Sequence, residues 1–203
     1  MSSSRRSLRC FAFVWLCGAT IAPVGDHLHV TRGVTEYLTE FGIVWLGESP
    51  LWFMLLVATT MAGLAVLQGR LDTGAGRRAP DPWVLASPLA VGGLYVLTSF
   101  YPWREGGSLE LVVTAVALAL YLLLDRTLIG ALIGAIAAVI ATATEWGLVQ
   151  LGVFRYLPES DELLGVAPWL LPLYFAASVA AGAVGRRLAG RDVPIDARSR
   201  LVD

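Results

Sequence analysis

Long apolar runs separated by short polar stretches form the main pattern along the chain. A helix that crosses the hydrocarbon layer of a bilayer, about 30 Å thick, needs about 20 mostly apolar residues. Six runs have this length or come close to it, namely residues 8–24, 50–68, 83–100, 109–124, 128–151 and 166–188. The pattern predicts an all-α, polytopic membrane protein in which six transmembrane helices form one domain (residues 1–190), followed by a polar tail (191–203).

The arginines are distributed unevenly between the predicted loops. With the N-terminus inside, twelve lie on the inner side: Arg5, Arg6, Arg9, Arg70, Arg77, Arg78, Arg126, Arg186, Arg187, Arg191, Arg198 and Arg200. The outer side holds three: Arg32, Arg104 and Arg155. Because basic residues concentrate in cytoplasmic loops, we expect a multi-pass protein of the plasma membrane with both termini in the cytoplasm.

Composition agrees with a membrane protein. Of 203 residues, 56% are hydrophobic and 15% are charged, whereas soluble domains average about 25% charged residues. A formal net charge of −1 argues against a nucleic-acid-binding protein, which would carry a clustered basic face. The two cysteines lie in one apolar run, which excludes a disulfide scaffold and a cysteine-based zinc site.

A polar cluster follows the first apolar run. It contains Asp26, His27 and His29, and Glu36 and Glu40 come shortly after. Such a set offers enough nitrogen and oxygen donors for a zinc-type site. The spacing matches no established metal motif, however, and we favour a polar cap on the first helix, with no metal and no cofactor.

The remainder of the predicted outer loop, residues 25–49, contains apolar residues at helical spacing. Val34, Leu38, Phe41 and Trp45 share one face. This spacing predicts a short amphipathic helix at the outer membrane interface, with Trp45 as an anchor.

Two acidic residues near the ends of apolar runs require a specific environment. Glu145 lies within the fifth run, where an ionisable group is costly; it either binds a ligand headgroup or forms a structural hydrogen bond to another helix. Asp125 ends the fourth run, where an acid opposes the helix dipole, so we expect it to cap or pair with a specific group. The cytoplasmic bias toward arginine accounts for Arg126.

Small residues spaced by four mark two helix faces for close packing in lipid. The fifth helix carries Gly130, Gly134, Ala138 and Thr142, and the sixth carries Ala177, Ala181, Gly185 and Ala189. No nucleophile elbow, phosphate-binding loop or paired broken helices accompany them. These absences favour a non-enzymatic protein and weaken the transporter interpretation.

The C-terminal third resembles the insulin-induced gene protein family, Insig. The resemblance extends from about residue 125 to 190, with a looser match back to about residue 50. It is carried by Leu124-Asp125-Arg126-Thr127, by Gly152-Val153-Phe154-Arg155-Tyr156, and by Trp169-Leu170, Tyr174-Phe175-Ala176, Val179, Gly182, Gly185-Arg186 and Leu188-Ala189 in the last helix.

This resemblance implies a six-helix membrane protein that binds lipid and holds membrane-protein partners. Animal Insigs reside in the endoplasmic reticulum, bind oxysterols, and hold a sterol-regulatory escort protein and a sterol-synthesis reductase. The arginine-only usage and short tails are typical of a prokaryotic chain, where we expect the lipid cavity, rather than the sterol circuit, to be retained. A diglyceride-like or sterol-like lipid with a small polar head suits such a cavity.

The predicted site residues come from two arguments. By position in the family, Val91, Ser108 and Tyr121 lie near the lipid, and Asp125, with its neighbour Arg126, binds a partner. By chemistry, polar groups within or beside the spans select the headgroup: Gln68, Thr142, Glu145 and Gln150.

The leading hypothesis is a non-enzymatic lipid-binding protein, a sensor or adaptor that forms a homo-oligomer. Two alternatives stay open. One is a small membrane enzyme of lipid or isoprenoid metabolism that uses the Asp26, His27 and His29 cluster. The other is a small-molecule transporter with a polar path past Glu145.

Overall fold

The computed structural model describes residues 3–39, 42–71, 81–100, 108–158 and 160–189. This part of the chain contains six helices: α1 (Ser3–Thr31), α2 (Leu51–Arg70), α3 (Asp81–Phe100), α4 (Ser108–Leu124), α5 (Leu128–Gln150) and α6 (Leu170–Leu188). It also contains four short strands: β1 (Thr35–Tyr37), β2 (Val44–Leu46), β3 (Ser49–Pro50) and β4 (Phe154–Tyr156). The predicted all-α class with six helices is confirmed.

Four of the six helices are long and apolar enough to cross a membrane: α1, α2, α3 and α5. Helix α4 is apolar but shorter, with 17 residues. Helix α6 carries Arg186 and Arg187 in its last turn, and most of its residues are buried by the other helices. Large apolar side chains such as Leu111, Leu132 and Ile136 are exposed on the outside of the bundle, as expected for surfaces that face lipid.

Helix α6 is the centre of the bundle, because it packs against each of the other five helices. Small residues allow this packing: a methyl group added at Gly185 would collide with the backbone carbonyl of Ala65 on α2, and one added at Gly69 would lie 2.8 Å from the carbonyl oxygen of Gly185. Such short approaches hold helices together in lipid, where no hydrophobic force drives association. On α5 the predicted stripe of small residues supplies the buried positions Gly130, Gly134, Ala138 and Thr142.

The two ends of the bundle differ in character, and we name them by what they carry. The arginine end holds Arg70, Arg126 and Arg186 at helix termini. The sheet end holds the four strands together with the last turns of α1. There, β1 and β4 pair antiparallel, with Glu36 opposite Arg155.

Helix α1 begins at Ser3 instead of residue 8, and at its other end it continues about two turns past the predicted end, to Thr31. The polar residues Asp26 and His29 suggested that the helix ends near residue 24, but both side chains are buried against other elements. Buried polar groups with hydrogen-bond partners are compatible with a continuing helix. The expected outer loop therefore begins seven residues later than the sequence indicated.

The predicted amphipathic helix is wrong. In its place are β1 and the hairpin of β2 and β3, in which Val44 pairs with Pro50 and Leu46 with Ser49. Of the four apolar residues that suggested helical spacing, Val34 is buried in the core while Leu38 and Trp45 are exposed; Phe41 lies outside the described residues. The apolar residues that suggested one face of a helix therefore belong to a strand and to a hairpin, and their environments differ.

We expect Gly185→Ala to lower the thermal stability of the detergent-purified protein. The added methyl group overlaps the backbone of α2, and overpacking of this kind costs about 1–3 kcal/mol. Gly63→Ala is the matched control, since a methyl group there meets no atom within 4 Å, and exchange of a helical glycine for alanine stabilises by about 0.5–1 kcal/mol. Equal melting temperatures for the two variants would contradict the proposed role of this contact.

Candidate functional site

A cavity opens between four helices and is lined mainly by apolar side chains. Its walls come from α1, α2, α3 and α6, and α6 supplies the largest share. The described residues that line it are Val14, Cys17, Gly18, Ile21, Ala22, Phe53, Val57, Met61, Pro88, Val91, Tyr95, Leu173, Tyr174, Ala177, Ala180, Ala181 and Val184. The open space measures about 810 Å³, counting the part open to the surroundings.

The cavity is wide because α6 lines it with alanines. Ala177 and Ala181 belong to the stripe that predicted helix packing, and they also face the cavity. Tyr95 on α3 and Tyr174 on α6 carry the only hydroxyl groups among the described lining residues. The site therefore offers hydrocarbon contact over most of its surface and hydroxyl groups at two positions.

Tyr174 connects the cavity wall to a buried carboxyl group. Its hydroxyl donates a hydrogen bond to Glu145 on α5, and the hydroxyl of Tyr156 on β4 donates to the other carboxyl oxygen. Burial and the neighbouring Glu145 raise the pKa of Tyr156 well above its usual value, so this tyrosine stays a donor. Glu145 thus forms the structural hydrogen bonds that were one of its two predicted roles.

A second buried carboxyl group lies at the sheet end. The hydroxyl of Tyr37 on β1 donates to both carboxyl oxygens of Asp26, at 2.9 and 3.0 Å. Burial, followed by the charge of Asp26, raises the pKa of Tyr37. Each strand of the β1–β4 pair therefore carries one tyrosine that connects this sheet to a helix.

The two histidines have separate environments. His29 is buried; its Nδ1 lies 2.9 Å from the carbonyl oxygen of Gly25 and its Nε2 lies 2.9 Å from the Thr98 hydroxyl, while the ring stacks on Trp169. His27 accepts a hydrogen bond from the backbone N–H of Glu48. These partners hold each ring in a structural position.

The residues proposed for a metal-dependent enzyme do not converge. Glu36 forms an exposed ion pair with Arg155 at 2.6 Å, and Glu40 lies outside the described residues. Across the described ranges, no group of three His, Cys, Asp or Glu side chains is placed to hold a metal ion. The geometry gives this alternative no support.

A buried ion pair closes the arginine end. The guanidinium of Arg186 lies 2.9 Å from Asp125, whose side chain is 2% exposed. The other carboxyl oxygen of Asp125 accepts from the backbone N–H and the hydroxyl of Thr127, at 3.0 and 2.5 Å. Arg186 also donates to Gln68, which in turn donates to Ser178 on α6. Asp125 therefore has the specific partners that its position predicted.

Two comparisons decide the family. The family model for insulin-induced protein (INSIG) matches residues 89–189. An INSIG protein homologue from Mycolicibacterium vanbaalenii is 40% identical over 183 residues, which is 88% of this chain and 86% of that protein. The chain belongs to the Insig family.

The fold agrees with a solved Insig homologue. The crystal structure of the mycobacterial homologue MvINS from Mycobacterium vanbaalenii superimposes with a TM-score of 0.80 at 38% identity, covering 92% of this chain and 96% of that chain. A second structure of that protein is of a cross-linked trimer. The similarity reaches vertebrates: insulin-induced gene 1 protein of Danio rerio is 27% identical over 180 residues, 87% of this chain and 70% of that protein.

Of the seven residues predicted to contact lipid, Val91 is the one that appears among the described residues lining the cavity of this Insig protein. Tyr121 is partly buried and donates to the carbonyl oxygen of Thr127, Gln150 is exposed at the end of α5, and Thr142 is buried between helices. The side chain of Ser108 lies outside the described residues. Glu145 reaches the cavity only through Tyr174, and Gln68 belongs to the arginine-end network.

Sequence reasoning missed most of the cavity wall. Phe53, Tyr95 and Tyr174 lie on three helices that are far apart in the chain, so no local spacing links them. One signal was present: the alanines at positions 177 and 181 leave room beside α6, which is compatible with a ligand as well as with a neighbouring helix.

We expect Asp125→Asn to destabilise the protein strongly. It leaves Arg186 without its buried counter-charge, and loss of one partner of a buried pair costs about 3–5 kcal/mol. Glu36→Gln is the matched control, since it removes an exposed ion pair, and such pairs contribute about 0–1 kcal/mol. Chemical unfolding in detergent measures both, and equal free energies of unfolding would show that the Asp125 pair is not structural.

Proposed function

We propose that this Insig-family protein binds a membrane lipid in the cavity between α1, α2, α3 and α6, without catalysing a reaction on it. The observation that supports the proposal most is the lining itself, which is apolar on all four helices apart from two tyrosine hydroxyls. A hydrocarbon chain gains little hydrophobic energy by leaving other lipid tails. Binding then depends on shape and on the few polar contacts.

The polar contacts favour a lipid with a small hydroxyl-bearing head, diglyceride-like or sterol-like. The hydroxyl of Tyr174 is engaged by Glu145, whereas the hydroxyl of Tyr95 has no hydrogen-bond partner among the described residues. A ligand hydroxyl would supply a hydrogen-bond partner for the Tyr95 hydroxyl. A phosphate or a bulky charged head has no cationic group among the lining residues to pair with.

The same proposal includes orientation and assembly. The arginine end faces the cytoplasm of a plasma membrane, with both termini inside, because Arg70, Arg126 and Arg186 gather there and basic residues concentrate on the cytoplasmic side. The chain forms a homo-oligomer, as the mycobacterial relative does in its cross-linked trimer. In a sensor or adaptor of this type, Asp125 acts by ordering the arginine end for a membrane-protein partner. Arg126, which is exposed and at positive φ, contacts that partner in the proposal.

Native mass spectrometry of the detergent-purified protein tests lipid binding. We expect Ala177→Phe and Val91→Phe to lower the lipid-bound fraction several-fold, because each places a phenyl ring in the cavity. Ala135→Phe, on the exposed face of α5, is the control and leaves the fraction unchanged. A wild-type protein that carries no lipid, or equal losses in all three variants, would contradict the proposal.

We expect Tyr95→Phe to reduce the preference for a diglyceride over its methyl-capped analogue about fivefold. A single hydrogen bond contributes about 1 kcal/mol, and competition between the two lipids in the same spectra measures the ratio. Tyr121→Phe is the matched control, because the Tyr121 hydroxyl is bound to the Thr127 carbonyl outside the cavity. If Tyr121→Phe changes the ratio and Tyr95→Phe does not, the lipid lies at the position implied by the family resemblance rather than in this cavity.

A further inference from the structure

Four consecutive apolar side chains are exposed in and beside the hairpin strand β2. Ile43 is 70% exposed, Val44 59%, Trp45 54% and Leu46 43%. A run of this kind on a protein surface marks a contact with another apolar medium or molecule. The hairpin lies outside the cavity and takes no part in the site described above.

The alternation of side chains shows that both faces of β2 are uncovered. Successive residues of a strand point to opposite faces, so a strand lying on a protein buries every second side chain. Here none of Val44, Trp45 and Leu46 is buried. A docking protein would cover one face of such a strand, whereas the boundary region of a bilayer surrounds both.

The connection to α2 fixes the depth of the hairpin. Strand β3 leads directly into α2, and the backbone N–H of Leu51 donates to the carbonyl oxygen of Ile43 at 2.8 Å. Helix α2 has 20 residues, or about 30 Å, the thickness of the hydrocarbon layer. The hairpin therefore lies level with the boundary between acyl chains and headgroups. In the first two turns of α2, Leu55 and Leu56 are also exposed.

The tip of the hairpin is held by α1. The backbone N–H of Glu48 donates to Nδ1 of His27 at 3.2 Å, and Gly47, at φ +56°, lies so close to the His27 ring that any side chain there would collide with it. The attachment holds the turn while leaving β2 projecting.

We infer that β2 is inserted into the headgroup and acyl boundary of the leaflet at the sheet end, and that Trp45 anchors it there. Tryptophan is enriched at this depth of a membrane because its ring is apolar and its N–H is polar. The occupant is the bilayer itself. This contact fixes the position of the sheet end relative to the membrane surface, and it does not depend on lipid binding in the cavity.

Fluorophores on the two faces of β2 test the insertion. Ile43→Cys and Val44→Cys are neighbouring positions that leave the Trp45 anchor in place. In a background with Cys10→Ala and Cys17→Ala, they are labelled with a nitrobenzoxadiazole probe and reconstituted in phosphatidylcholine–phosphatidylglycerol vesicles. The quenchers are nitroxide lipids with shallow or deep labels, and iodide on both sides of the membrane. Glu162→Cys, exposed outside the helices, is the aqueous control, and Leu55→Cys is the membrane control.

We expect both β2 probes to be quenched more by shallow than by deep nitroxides, and at least threefold less by iodide than the Glu162 probe. Quenching by iodide equal to that of the control would place β2 in water and overturn the inference. Protection from iodide without nitroxide quenching, together with β2-to-β2 cross-linking, would show that a second copy covers the strand and would overturn it as well. Nitroxide quenching of the probe on one face of β2, without quenching of the probe on the other face, would also contradict insertion.

Discussion

The close backbone approach between α6 and its neighbours is the contact on which the rest of the structure depends. In lipid, apolar surface provides no drive for two helices to meet, so the contact must come from short van der Waals distances. Gly185 against the Ala65 carbonyl supplies such a distance, and it brings Arg186 within reach of Asp125 one residue later. Nearer the N-terminal end of α6, alanines in place of larger residues leave the cavity open. Packing and cavity are two results of the same run of small side chains.

A second constraint is that polar groups inside the bundle must find their partners within the protein. Both carboxyl groups near the sheet end accept from tyrosine hydroxyls, which satisfy them without adding a buried positive charge: Asp26 from Tyr37, and Glu145 from Tyr156 and Tyr174. The arginine end uses an ion pair instead, where Arg186 also reaches Gln68. A neutral donor avoids a further cost at the sheet end, because a buried cation would have to be desolvated in addition to the carboxyl group.

The helices could be predicted from the sequence because they are long apolar runs, and the stripes of small residues on α5 and α6 marked the faces that pack. The last turns of α1 and the strands could not. Asp26 and His29 look like the end of a helix until Tyr37 and Thr98 are known to be their partners. These pairs join separate elements, and a hydrogen bond between distant residues produces no periodic pattern in the sequence. The ion pair of Asp125 could be predicted only in part. The unfavourable position of an acid at a helix end indicated that Asp125 has a partner, but it did not identify Arg186 as that partner.

Glu145 links the candidate site to the sheet end, because one carboxyl group holds both a tyrosine of the cavity wall and a tyrosine of β4. A ligand that displaced Tyr174 would leave a buried carboxyl oxygen without its donor, at a cost of about 1–3 kcal/mol, unless Glu145 or β4 moved with it. Since β4 pairs with β1, and β1 is tied to α1 through Tyr37, such a movement would reach a second wall of the same cavity. The cavity is therefore bounded by elements that hydrogen bonds connect to one another, so its shape at the sheet end depends on the strands as much as on the helices.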